Sequence, residues 1–312
     1  MTERKIPLLC ITGPTASGKS ALAVRLAQLL GGEVVSCDSM QIYRGMDIGT
    51  AKPTEAEMCG VPHHMIDIVA PSEDYSCGRY ADEAAKVIKD IASRGALPIV
   101  CGGTGLYLDS LITATEHADA PSDPAMREEL LARDAQSLHD ELSEIDAESA
   151  AAIHPNNKRR VARAIEIYRI TGRTKSEWDR RSHDTPSPYD ASVVALGYLD
   201  RELLYRRICM RVDEMFDRGL CDEVCSLDLD PDSTAAAAIG YKEVGTYLRG
   251  ECTEDQAREA VKLATTRYAK RQLSWLRGRS YVKWAMICGD PEQDKKMLDK
   301  IVNISLILSE RR

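Results

Sequence analysis

The residues Gly13-Pro14-Thr15-Ala16-Ser17-Gly18-Lys19-Ser20 fit the phosphate-loop pattern G-x-x-x-x-G-K-[ST] at every position. Their context agrees with the motif. The apolar run Leu8-Leu9-Cys10-Ile11 reads as a short buried strand, and Ala21 to Ala27 reads as a helix. Glycines let the backbone curl so that successive N–H groups point inward at an anion. The helix N-terminus adds its positive dipole end. Lys19 neutralises phosphate charge in such a loop, and the Ser20 hydroxyl ligates Mg²⁺. The bland alternative is a glycine-rich turn that binds nothing, and the flanking strand and helix argue against it. The loop does not say whether the phosphates are transferred, hydrolysed or expelled as a leaving group.

The following segments alternate in the same way. Glu33-Val34-Val35-Ser36 is a short strand ending at Asp38, the region from Gly78 to Ser93 is helical in period, and Leu97-Pro98-Ile99-Val100-Cys101 is another buried strand. Strands and helices in turn, with glycines at strand ends, predict an α/β fold: a doubly wound parallel sheet like that of P-loop NTPases. The rhythm stops near Thr113. From Pro121 to about Ser182 the chain is polar and helical in period, with helix starts at Asp123-Pro124 and at His154-Pro155-Asn156-Asn157. Ser182 to Pro188 reads as a linker. A strand returns at Ser192 to Tyr198, and helices follow over 201–218, 241–249 and 253–278. The expected organisation is a core domain of residues 1–113 and 191–312 with C-terminal helices, interrupted by a helical insertion domain of residues 114–190.

Hydrophobic residues make up 44% of the 312, which suits a globular core. No uncharged apolar stretch is long enough to span a bilayer. Met1 to Lys5 leads directly into the first strand, leaving no room for a signal peptide. Ten cysteines lie scattered without a C-x-x-C pair, which suits reduced thiols in a cytoplasmic protein. The formal net charge of −8 argues against indiscriminate nucleic-acid affinity. Local basic clusters exist nonetheless: Lys158, Arg159, Arg160 and Arg163, and Arg267, Lys270, Arg271, Arg277 and Arg279.

Asp38 should stand at the carboxyl edge of the sheet, beside the phosphate loop, where ligands bind. There it is a general base, a water-mediated Mg²⁺ partner or a turn cap. Gly102-Gly103-Thr104-Gly105 should end on the same edge. Arg207 and Arg211 share a helix face and suit bidentate grip on a pyrophosphate. By period alone, a solvated face pairing with Asp213 or Glu214 is the simpler reading. The segment Arg267 to Arg277 mixes basic, amide and aromatic side chains, which suits single-stranded RNA or a core-facing helix. His63 and His64 point to opposite faces of an extended segment and read as structural or substrate-lining.

Taken together, these segments resemble the tRNA dimethylallyltransferase (tRNA isopentenylpyrophosphate transferase) family in its bacterial form. Besides the phosphate loop, the resemblance rests on Asp38-Ser39-Met40-Gln41-Ile42-Tyr43, Met46 to Pro53 and Pro62 to Asp67. Gly102 to Tyr107, His154-Pro155-Asn156, Gly240-Tyr241 and Ala269-Lys270-Arg271-Gln272 follow in the family's order. It covers nearly the whole chain, from about Pro7 to Arg279. The sequence ends at Arg312 without the zinc-finger tail of eukaryotic relatives.

The resemblance implies transfer of a dimethylallyl group from dimethylallyl diphosphate to the exocyclic amine of the adenine 3′-adjacent to the anticodon, with diphosphate released. It implies Asp38, Thr15 and Arg211 as catalytic residues: the base, the threonine beside the reacting carbon and the diphosphate-binding arginine. The loop from Gly13 to Ser20 holds diphosphate, with Mg²⁺ on Ser20. Positions implied to contact the tRNA anticodon stem-loop are Asp38, Ser39, Met40, Gln41, Thr104, Arg127, Arg159, Arg160, Val161, Ala162, Arg163, Gly240, Tyr241 and Lys242. A cytoplasmic monomer is expected, with no membrane association. Two rivals share the loop. A P-loop small-molecule or nucleotide kinase would turn over ATP. A GTP switch needs an Asn-Lys-x-Asp segment, which Asn156-Asn157-Lys158 does not supply.

Overall fold

The computed structural model describes residues 5–113, 122–184, 186–231, 233–290, 292–297, 299 and 301–302, with the side chains of 182–184 left aside. Two compact units emerge. One comprises Met1–Tyr75, Asp82–Leu108 and Tyr189–Arg312, and the other comprises Ser76–Ala81 and Asp109–Pro188.

The larger unit is built on a six-stranded parallel sheet of order β3-β2-β4-β1-β5-β6. The strands are β1 (Ile6–Thr12), β2 (Gly32–Ser36), β3 (His63–His64), β4 (Leu97–Cys101), β5 (Tyr189–Tyr198) and β6 (Val282–Ile287). The helices include α1 (Lys19–Leu30), α2 (Glu55–Met58), α3 (Cys77–Ser93), α4 (Gly105–Ile112), α5 (Pro124–Ala132), α6 (Ala135–Ile145), α7 (Ala147–Ala152), α8 (Lys158–Thr171), α9 (Lys175–Asp184), α10 (Arg201–Asp217), α11 (Leu220–Leu227), α12 (Tyr241–Leu248) and α13 (Glu254–Arg277), and residues 292–297 are also helical. Strands β1 and β4 are almost wholly apolar because both faces of a parallel sheet are covered. Leu9, Ile11, Leu26, Leu97 and Ile99 pack into one core and are completely buried. Each such side chain contributes about 2 kcal/mol of burial.

Register fixes the functional edge. Ser36 pairs with Cys101, Cys101 with Ile11, and Ile11 with Val194. The segments leaving β2, β4 and β1 therefore emerge side by side at the carboxyl edge, where doubly wound sheets bind ligands. Among the described residues no helix is long and apolar enough to cross a membrane.

The smaller unit is helical. Asp123, Asp134 and Asp146 cap α5, α6 and α7 through their carboxylates, so part of the acidic composition of this stretch is helix-start chemistry. Leu130, Leu138, Leu142, Val161 and Ile165 form its core.

Three sequence expectations need correction. Strand β5 begins at Tyr189, not Ser192. The expected linker loses Ser182, His183 and Asp184 to the end of α9, and Thr185 and Pro121 lie outside the described residues. Strand β6 was not anticipated. It is an edge strand whose Lys283 and Met286 are exposed, and its mixed Val-Lys-Trp-Ala-Met-Ile pattern carries little apolar signal.

Candidate active site

The phosphate loop follows β1 and feeds α1, as the motif requires. Its backbone is bent at Ala16 (φ +60°), and Gly18 (φ +89°) caps the helix. Three side chains from distant elements brace the bend. Arg207 of α10 donates Nε–H to the Ala16 carbonyl at 2.9 Å. The Tyr198 hydroxyl at the end of β5 donates to the Ser17 carbonyl at 3.3 Å. Gln272 of α13 accepts the Thr15 N–H at 2.9 Å.

Gln272 is 6% exposed, and its other amide end donates to the Gly103 carbonyl at 3.0 Å. A Cβ on residue 103 would stand 2.2 Å from the Gln272 amide nitrogen, so glycine there answers to a close approach. The Gly102-Gly103-Thr104-Gly105 turn thus meets the phosphate loop, as the shared sheet edge predicts. Thr104 ties it to the third segment. Its N–H donates to the Cys37 carbonyl at 3.2 Å, and its hydroxyl accepts the Ser39 N–H at 3.1 Å. Asp38 accepts the Met40 N–H at 2.9 Å, which orders the turn after β2. Gln41 accepts from the Ser36 hydroxyl and donates to the Ala51 carbonyl.

Charge is arranged around Asp38. Burial, and then the neighbouring Arg211, hold the Lys19 ammonium below the usual lysine range, while Asp38 opposes the shift. Burial likewise lowers the Arg211 guanidinium, with Asp38 its main opposing charge. Arg211 Nε is buried without a hydrogen-bond partner among the described residues, as is the Ser17 hydroxyl. Lys19 Nζ donates to the Pro14 carbonyl at 3.4 Å. The Cys101 thiol is pushed up to about 11 by burial, against the pull of Lys19 and a hydrogen bond with Ser20. The Tyr268 hydroxyl is pushed well up by burial and by Asp38, with Thr104 and Gln272 beside it. Neither Lys19 nor Arg211 forms an ion pair among the described residues, and a curled loop with cations beside it has the chemistry to accept a polyphosphate.

The pairing of Arg207 or Arg211 with Asp213 does not occur. Asp213 bonds Lys262 at 2.9 Å and Arg258 at 3.5 Å. Tyr268, left open between RNA contact and core, lies beside Thr104 and Gln272. Leu273 packs against the Ala16, Leu204 and Ile208 cluster. Trp275 carries Arg279 over its ring at 4.5 Å. Arg267, Lys270, Arg271 and Arg277 are exposed.

Other candidate positions have structural partners. Tyr241 is buried, donates to Glu223 at 2.5 Å and packs so tightly on Gly49 that a Cβ there would lie 2.4 Å from its ring. Glu223 also accepts the N–H groups of Asp47, Ile48 and Gly49. Lys52, 7% exposed, ion-pairs with Asp47 and Asp67 and donates to the Tyr43 carbonyl. The second sequence block is therefore a braced loop. Gly240 starts α12 and Lys242 is exposed. His64 bonds Glu33 at 2.7 Å and His63 bonds the Val61 carbonyl, so each has a structural partner. All ten cysteines are free thiols.

In the helical unit, the fully buried Glu166 receives Arg127 at 2.9 Å, Arg163 at 2.9 Å and the Asp123 N–H at 2.7 Å. Val161 and Ala162 are core residues, leaving only their backbone to meet a ligand. Arg159 and Arg160 are exposed on the first turn of α8.

Sequence reasoning missed the bracing roles of Gln272, Arg207, Tyr198 and Glu223. Contacts across more than 150 residues leave no local trace. A weak signal existed in Gly103, whose lack of a side chain implies something packed against it.

The IPP transferase family model matches residues 41–279, and the isopentenyl transferase model matches residues 6–70. The chain is 48% identical over 302 residues to a tRNA dimethylallyltransferase of Halalkalibacterium halodurans, covering 95% of each. It is 46% identical over 286 residues to one of Geobacter sulfurreducens, covering 90% of this chain and 92% of that protein. Its structure resembles the crystal structure of a full-length tRNA isopentenylpyrophosphate transferase from Bacillus halodurans. The TM-score is 0.73 at 44% identity, over 99% and 97% of the two chains. It also resembles a eukaryotic dimethylallyltransferase crystallised acting on tRNA, with a TM-score of 0.84 at 31% identity over 98% of this chain and 80% of that one.

Proposed function

The chain belongs to the IPP transferase family of tRNA dimethylallyltransferases, and on that premise we propose the following reaction. A dimethylallyl group passes from dimethylallyl diphosphate to the exocyclic amine of the adenine 3′-adjacent to the anticodon in tRNA. The observation that carries this reading is the pair of half-buried cations, Lys19 and Arg211, set beside Asp38 with no ion-pair partner among the described residues. A diphosphate leaving group supplies the missing negative charge.

Asp38 accepts a proton from the attacking amine. The new C–N bond forms as the C–O bond to diphosphate breaks, and its electron pair departs on the diphosphate. The loop N–H groups, Lys19 and Arg211 receive that charge as it develops. Thr15 stands beside the reacting carbon. The adenine must leave its stack to reach this edge of the sheet.

Mg²⁺ fits the donors present. Among the described residues no three His, Cys, Asp or Glu side chains gather into a metal cage, while Ser20 is an exposed residue in the first turn of α1. Ser20 and substrate phosphate oxygens are hard donors of the kind Mg²⁺ takes. When bound, the ion adds charge neutralisation at the diphosphate.

We assign tRNA contact to the turn from Asp38 to Gln41, to Thr104, to Gly240–Lys242, and to Arg127 and Arg159–Arg163 in a helical domain of residues 114–190. Arg159 and Arg160 have the strongest support, being exposed and close to a helix N-terminus. The test is incubation with isotopically labelled dimethylallyl diphosphate and unmodified tRNA. Label should appear on one adenosine next to the anticodon, without ATP. Turnover of ATP with no transfer of label would favour the kinase reading.

A further inference from the structure

Gln272 occupies an unusual position for a residue in a basic helix. Its side chain is buried between two loops that are 88 residues apart in sequence. The phosphate-loop residue Thr15 offers an N–H, and Gly103, leaving β4, offers a C=O. A carboxamide of this length accepts from the first and donates to the second at once. Glutamate lacks the donor, lysine and arginine lack the acceptor, and asparagine is shorter by one methylene. The partners also fix the amide's orientation, with oxygen toward Thr15 and nitrogen toward Gly103. The bond to Thr15 takes a loop N–H away from the anion that the loop curls to receive. The protein therefore spends one loop donor on setting where Thr15 sits.

The second end of the clamp reaches the base. Gly103 precedes Thr104, whose N–H bonds the Cys37 carbonyl and whose hydroxyl accepts the Ser39 N–H. These two residues flank Asp38. A continuous path of hydrogen bonds thus runs from Thr15 through Gln272 and the Gly103–Thr104 peptide to the turn that holds Asp38. We infer that Gln272 is a positioning residue that sets the distance between Thr15, on the donor side, and Asp38, on the acceptor side. This rests on the transfer reaction proposed above, in which the two residues face opposite partners. A two-sided reaction needs such a spacer, since misplacement by about 1 Å costs on the order of a hundredfold in rate.

The test compares Gln272→Met, which keeps length and removes both bonds, with Thr15→Ala and the double variant. In single turnovers Gln272→Met should be about tenfold to a hundredfold slower, with KM for tRNA and affinity for inorganic diphosphate little changed. In the Thr15→Ala background the same substitution should cost less than about threefold, because the side chain it positions is already gone. Additive losses, or a Gln272→Met enzyme with normal single-turnover rates, would overturn the inference. Amide hydrogen exchange at Thr15 gives a readout independent of activity. Exchange should be slow in the wild-type chain and fast in Gln272→Met, and equal rates would remove the clamp itself. If the wild-type chain transfers no label while Thr15 exchange still responds, the reaction assignment fails and the clamp stands.

Discussion

Arg207 donates to the carbonyl of Ala16, the phosphate-loop residue that adopts a left-handed backbone despite carrying a side chain. A non-glycine residue in that region costs on the order of 1 kcal/mol and persists only where its surroundings hold it. Arg207 and Arg211 are one helical turn apart on α10, so one helix both supports the loop and supplies a cation to it. Arg207→Ala should lower kcat/KM for dimethylallyl diphosphate by about tenfold, the equivalent of losing one charge-assisted hydrogen bond. Arg207→Lys should recover part of it. Steady-state kinetics against the donor decide, and an unchanged Arg207→Ala enzyme would show that the loop holds its bend unaided.

Arg211 and Lys19 are linked through pH. Burial and then the Arg211 charge lower the Lys19 pKa, so the ammonium is lost at a lower pH than in an ordinary lysine. The alkaline limb of kcat/KM, which reports the free enzyme, should fall correspondingly early. Arg211→Met removes the second of those two causes. Lys19 then holds its proton longer, and the limb should move to higher pH even as the rate drops throughout. Arg211→Lys should rescue only part of the rate, because a point charge cannot grip diphosphate bidentately. A limb that stays put in Arg211→Met would separate the two cations.

Asp38→Ala should stop chemistry more than binding. Its carboxylate orders the turn through the Met40 N–H, and as general base it is worth roughly a hundredfold or more in turnover. Asp38→Asn keeps an acceptor for Met40 and isolates the base from the turn. Both variants should bind inorganic diphosphate about as well as the wild-type chain. A near-normal single-turnover rate in Asp38→Asn would assign the residue to turn structure alone.

The phosphate loop, its strand and helix, and the convergence of Asp38 with Gly102–Gly105 were all legible in the sequence, because each depends on local pattern plus the geometry of parallel sheets. What pattern cannot supply is the identity of long-range partners. Period alone gives Arg211 a solvated face and a pairing with Asp213 or Glu214, yet its Nε is buried with no hydrogen-bond partner among the described residues, because α10 packs against the loop. The helix around Gln272 read as a mixed RNA-facing or core surface, and it divides the work. Arg271 and Lys270 are exposed while Gln272 is inside. In the helical unit partners are likewise set by packing: Glu141 bonds Arg133 and the α8 residue Arg169, and Arg163 turns to Glu166 on its own helix.

That last pairing changes how RNA binding by α8 must be tested. Arg163 and Arg127 hold the buried Glu166, whose own burial is outweighed by its bonds to Arg163, Asp123 and Arg127, leaving it below the usual carboxylate range. A carboxylate so lowered gives stability that is present at neutral pH and lost as pH falls through its folded pKa. Arg127→Ala should cost about 2 kcal/mol, less than the ~3–5 kcal/mol of a buried charge stripped of its only partner, because Arg163 remains. Arg163→Glu should cost more, since it sets a second carboxylate against the first. Loss of tRNA binding in either variant would therefore not distinguish contact from unfolding. Arg159 and Arg160 are exposed and serve better. Reversing both to Glu should leave the melting temperature within about 2 °C, as expected of surface positions. It should also weaken tRNA binding and flatten its salt dependence by about one unit of slope per lost phosphate contact. Binding of inorganic diphosphate should not change. An unaltered salt slope in a folded double variant would remove this face of α8 from the RNA interface.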